Sequence, residues 1–155
     1  MGDVRPVELK EAVLAVDCSD VVDACKRMDA LKGMAQKDSF LKAAKVVERT
    51  SNIIKGAKGE RIGEVSESFF REDMEREVWK LYKDNKDEIQ RLIHEERYIE
   101  ATEKYGDVFF GILHTFFDKV LVNAEDNVLR LNRLAMMRSI NRLYVDKVAD
   151  LARLP

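Results

Sequence analysis

The chain has 155 residues, 46% hydrophobic and 36% charged, with a net charge of -2, so it can bury one sizeable core and lies outside the composition of disordered chains. Its only prolines, Pro6 and Pro155, stand at the ends, and it has seven glycines, so little interrupts long helices between them. Cys18 and Cys25 have no histidine nearby, which argues against a zinc site or disulfide framework; no long apolar run or basic-then-apolar leader appears, and the expectation is a cytoplasmic protein with no membrane partner.

Apolar residues recur at helical spacing almost throughout, predicting an all-α fold: a single antiparallel bundle of about six helices forming one domain over 1–155. The first helix runs from about Pro6 to Val16, with proline suited to the first turn. Ser19 or Asp20 caps a second that reaches about Met34, and Asp38 or Ser39 caps a third that ends near Ile54. The glycine-bearing stretch from Lys55 to Gly63 reads as a mobile connection; it lacks the spacing of a phosphate-binding loop. A fourth helix covers about Glu72 to Ile93, and a fifth, apolar on two faces, about Tyr98 to Val120, which places it centrally. The last helix is expected to open at Asn123, a good cap, with Glu125 and Asp126 in its first turn, where the helix dipole favours acids.

Charge is segregated along the chain. Lys26 to Lys58 holds nine bases against three acids, and Asn127 to Pro155 six against two, while Glu60 to Asp107 holds fifteen acids against nine bases. Side by side, the two basic segments would form a positive face suited to a phosphate backbone. Arg130 and Arg133 stand on neighbouring turns, and a planar guanidinium can clamp phosphate or stack on bases. His94 and His114 are far from each other and from any metal-ligand partner, and neighbouring acids such as Glu95 and Glu96 point to different sides of a helix. No catalytic residue, triad or metal site is expected.

The segment from Phe116 to Met137, "FFDKVLVNAEDNVLRLNRLAMM", resembles the C-terminal signature of the beta subunit of bacterial glycyl-tRNA synthetases. "DSFLKAAKVVERTSNIIKG", "VADLARLP" and "ELKEAVLAVDCSDVVDACKRMDAL" are similar to other parts of that region. Two departures stand out: Glu48 replaces a usually basic position, and Gly111, Ile112 and Leu113 occupy the place of a Pro-Val-Asp.

The resemblance implies an anticodon-binding helical bundle of the DALR type, a class also attached to arginyl-tRNA synthetases. By its implication the chain looks like a C-terminal piece of a longer beta subunit that works with an alpha subunit in an alpha2/beta2 tetramer. That enzyme would be a class II glycine–tRNA ligase using ATP and Mg elsewhere, the present piece being non-catalytic and without a cofactor. The implied partners are tRNA-Gly through its anticodon loop, the remainder of the beta subunit, and the alpha subunit. The expected RNA surface comprises Arg49, Asn52 and Lys55 from the third helix with Arg130 and Arg133 from the last. Asn and Arg would reach base edges and Lys55 a phosphate, while Asn132 would serve packing. A helical docking scaffold within the synthetase that never touches RNA is one alternative, and the related arginyl-tRNA synthetase anticodon domain is another.

Overall fold

The computed structural model describes residues 5–16, 20–57, 59–120, 122 and 124–154. It contains α1 (Pro6–Leu14), α2 (Val21–Met34), α3 (Asp38–Gly56), α4 (Asp73–His94), α5 (Tyr98–Lys119) and α6 (Asn127–Val145), with short 3-10 turns at Glu67–Phe69 and Leu151–Arg153. The described residues include no strand. The all-α expectation holds, and local chemistry accounts for most boundaries. Pro6 opens α1, where Arg5 and Glu8 form a reciprocal cap. The Asp20 carboxylate accepts the Asp23 N–H at 3.1 Å and starts α2. Between α4 and α5 the chain reverses through Glu96, held left-handed at φ 61°, while Arg97 N–H donates to Leu92 O and Glu96 N–H to Ile93 O, the paired bonds of a Schellman stop.

Helix direction follows from cross-helix pairs. Glu88 meets Lys104, so α4 and α5 run antiparallel about the tight turn between them. Tyr105 donates to Ile140 O at 2.8 Å, and Thr102 pairs with the Tyr144 hydroxyl at 2.8 Å, so α6 is antiparallel to α5 as well. In contrast, Lys37 faces Glu103, Lys42 faces Asp107 and Arg49 faces His114, which makes α3 and α5 a parallel pair. They approach closely at Gly106, where an added Cβ would stand 2.6 Å from Ser39 O and 2.8 Å from Ala43 N.

As its two apolar faces predict, α5 is central, contributing Tyr105, Phe109, Leu113 and Phe116 to a core with Phe40, Leu134, Ile140 and Tyr144. Burial holds the Tyr105 and Tyr144 hydroxyls well above the usual tyrosine range, so both remain neutral hydrogen-bonding groups.

The start of the last helix differs from expectation. The last helix begins at Asn127, because Asp126 accepts the Val128 N–H at 2.9 Å and the Leu129 N–H at 3.3 Å. Asp126 is therefore the cap rather than a first-turn acid, and exposed Glu125 precedes the helix. Asn123 lies outside the described residues. Upstream, extended Val120 and buried Val122 suit a non-helical lead-in. Asp126→Ala should cost about 0.5–2 kcal/mol by loss of that cap. Unchanged denaturant midpoints in this variant would rule the cap out as a source of stability.

The connection from α3 to α4, expected to be mobile, is instead anchored along α6. Asn132 grips Ser66 with both ends of its amide, accepting from the backbone N–H at 2.8 Å and donating to the carbonyl at 3.0 Å. Arg138 donates to Ile62 O at 2.9 Å and Gly63 O at 2.8 Å, and Arg130 pairs with Glu60. Ile62, Val65 and buried Phe70 pack on the core beneath. A glycine-rich composition signals turning ability, whereas the partners that hold this strap lie some seventy residues further on.

Candidate nucleic-acid interface

The basic helices do meet, for Asn141 of α6 donates to Thr50 Oγ1 at 3.0 Å and Ser51 Oγ at 2.9 Å on α3. Much of their charge is nevertheless matched internally. Lys26 pairs with Glu96, Lys37 with Glu103, Lys42 with Asp38 and Asp107, and Lys45 with Glu48. Arg27 is fully buried; it binds Val148 O at 2.9 Å and Asp23 at 3.0 Å, and Asp23 also accepts from the Tyr98 hydroxyl. This buried cluster ties α2 to α5 and to the chain after α6. The basic run in the sequence thus becomes a bundle laced by ion pairs more than an open positive face.

The five expected RNA-contacting residues occupy different settings. Asn52 and Lys55 are exposed on the last two turns of α3, and Arg49 is half-buried one turn earlier. Arg49 Nη1 lies 3.3 Å from His114 Nδ1, and its guanidinium carbon sits 5.9 Å from the centre of the Phe117 ring. The parallel register of α3 and α5, seen in Lys42 with Asp107 and Arg49 with His114, brings the last turns of α3 to the same end of the bundle as the last turns of α5.

Arg130 sits near the start of α6, at the same end of the bundle, because α6 is antiparallel to α5. Its guanidinium bonds Glu60 and Asn127 Oδ1, the latter at 2.9 Å, and the Arg130 hydrogen bond holds the Glu60 carboxyl below its ordinary range. Arg133 departs from expectation most. It is 5% exposed and paired with fully buried Glu75, whose other oxygen accepts the Arg71 and Glu72 N–H groups at 2.6 and 3.2 Å. That burial removes Arg133 from the surface. Helical spacing sets Arg133 less than one turn from Arg130, but the start of α4 packs over one and not the other.

Sequence reasoning missed His114 and Phe117 as members of this surface. His114 reads as an isolated histidine and Phe117 as part of the second apolar face of the fifth helix, with Phe110 and Leu113; the usable signal is that His114 falls on that face, in a Phe110, His114, Phe117 stripe at i, i+4, i+7. Asn132, by contrast, has the packing role expected of it. No group of histidine, cysteine or acidic side chains that could hold a metal ion occurs among the described residues. Among them also, no helix is long and apolar enough to cross a membrane.

No family model matches the chain. It is 31% identical over 153 residues to the glycine–tRNA ligase beta subunit of Trichlorobacter lovleyi and 32% identical over 154 residues to that of Geotalea uraniireducens, each alignment covering 99% of the chain. The chain is a homologue of glycine–tRNA ligase beta subunits. The beta subunit of Anaeromyxobacter dehalogenans is similar at 31% identity over 95% of the chain. The chain spans about 22% of the length of the first two relatives. Similarity thus extends over nearly all of this helical bundle and only a part of each relative.

Proposed function

We propose that this chain binds the anticodon loop of tRNA-Gly and so supports ATP-dependent glycylation by a larger alpha2/beta2 ligase of class II. In this reading the aminoacylation site, with its ATP and magnesium, belongs to other parts of that assembly, and the chain contributes recognition in the cytoplasm. The homology to glycine–tRNA ligase beta subunits supports the glycine assignment over the arginine one. The observation that carries the RNA assignment is the exposed end of α3, where Asn52 and Lys55 stand without an acidic partner among the described residues, next to half-buried Arg49. Loop bases are unpaired and can be read at their Watson–Crick edges, for which an exposed amide offers both donor and acceptor, while an ammonium serves a phosphate. Arg130 can join them if a phosphate displaces Glu60.

Binding to a glycine anticodon stem-loop should fall as salt rises, and Lys55→Ala should reduce the slope of log affinity against log salt by about 0.7, equally for all loop sequences. Glycine anticodons share cytosine at their second and third positions, so Asn52→Ala should cost on the order of 1–3 kcal/mol with that loop and less once those cytosines are replaced. Full affinity and an unchanged salt slope in both variants would remove the end of α3 from the interface.

A second reading, a docking scaffold within the synthetase, rests on the opposite part of the sequence. Val7 and Leu14, 63% and 46% exposed, lie one heptad apart on α1, and Val21 and Val22 are exposed at the start of α2. Failure to bind RNA with retention on the remainder of a beta subunit would favour that reading.

A further inference from the structure

We infer that Arg49 is a stacking plate for one unpaired RNA base, positioned by Phe117 and His114, rather than a reader of base edges. The inference rests on the anticodon-loop reading above and specifies how Arg49 acts within it. Phe117 packs against buried Phe116 in an edge-on contact, with ring centres 5.9 Å apart and planes at 73°. The Arg49 guanidinium lies over the Phe117 ring at 5.9 Å, within the range of a cation–π contact, and its Nη1 is turned to His114 Nδ1 at 3.3 Å.

For Nδ1 to accept from arginine, the imidazole must carry its proton on Nε2, which faces Asp118 at a distance of 3.6 Å. One nitrogen of Arg49 is therefore engaged by α5, and its guanidinium stands within cation–π range of an aromatic ring. A base lying flat on this half-buried guanidinium extends the Arg49–Phe117 contact, which an edge contact would not. Guanidinium planes stack on any nucleobase, since every base presents a π-face, and cation–π attraction adds to the contact. Asn52, on the neighbouring turn and exposed, is left as the edge-reading group. Phe117 and His114 are positioning residues: one supports the plate and the other sets its rotation.

The experiment is a double-mutant cycle between the chain and an anticodon stem-loop, read by equilibrium binding, with thermal melting to verify folding. Arg49→Lys keeps the charge and removes the plane. It should weaken binding by roughly 5- to 150-fold, the range of one base stack, and by the same factor whether the facing base is cytosine or uracil. At one abasic loop position the variant and the parent should become equal. Phe117→Leu should lose affinity and Phe117→Tyr should keep it; His114→Ala should lose it and His114→Asn, whose carbonyl oxygen can accept in place of Nδ1, should restore part.

Parent-like affinity of Arg49→Lys, a loss confined to cytosine, or an effect that survives at every abasic position would overturn the stacking role while leaving the anticodon-loop reading intact. If the parent chain binds no stem-loop at all, both readings fail together.

Discussion

Glu75→Ala is expected to lower the stability of the chain by about 3–5 kcal/mol, the cost of leaving one member of a buried ion pair without its partner. Glu75 is fully buried and holds Arg133 with one oxygen and the Arg71 and Glu72 N–H groups with the other, so the substitution removes the carboxylate that balances a buried guanidinium and the acceptor of two backbone donors at the start of α4. For a chain of this length the melting temperature should fall by roughly 6–20 °C. Arg133→Met should be comparably damaging, because it strands the carboxylate instead. Combining Glu75→Leu with Arg133→Met should recover part of the loss, since a well-packed apolar pair need not be less stable than a buried ionic one, although the two N–H groups remain unsatisfied. A Glu75→Ala chain that melts with the parent would mean that the pair is not buried in solution, and would return Arg133 to the surface.

Gly106→Ala should destabilise by about 1–3 kcal/mol even though alanine is the better helix former by about 1 kcal/mol. The new methyl would meet Ser39 O at 2.6 Å and Ala43 N at 2.8 Å. Both are backbone atoms of α3, so no rotamer change relieves the contact and the two helices must separate. Overpacking outweighs propensity here. Because α3 carries Arg49, Asn52 and Lys55 while α5 carries His114 and Phe117, separation should also weaken RNA binding. Denaturant unfolding measures the first effect and stem-loop titration the second; a variant of equal or greater stability would show that the parallel helix contact is looser than described.

The helices were legible in the sequence because their signals are local. Apolar periodicity located all six, Pro6 and Asp20 marked two starts, and the two apolar faces of α5 anticipated its central place. What was not legible depends on distant partners. The parallel course of α3 and α5 is carried by pairs such as Lys42 with Asp107, and the anchoring of the strap by Asn132 and Arg138, neither of which has a periodic signature. The sequence favours Asn123 as the cap of the last helix with Asp126 in its first turn, whereas the bonds to Val128 and Leu129 make Asp126 the cap.

The candidate surface divides in the same way. Arg49, Asn52 and Lys55 follow from the spacing of a single helix, whereas the burial of Arg133 follows from Glu75, which arrives on another. Charge counts overstated the positive face for the same reason: they register the bases Lys26, Lys37 and Lys42 but not Glu96, Glu103 and Asp107, which pair with them from far along the chain. His114 and Phe117 were overlooked because only the register of two helices brings them to Arg49.

The most direct test of the central claim is the binding of this chain to the anticodon stem-loop of tRNA-Gly, measured at one fixed salt concentration beside the same stem-loop with its second and third anticodon cytosines replaced. Anticodon reading predicts saturable binding that weakens by roughly 5- to 150-fold for each cytosine whose edge is read. Equal affinity for the two loops, or no binding to either, would contradict it.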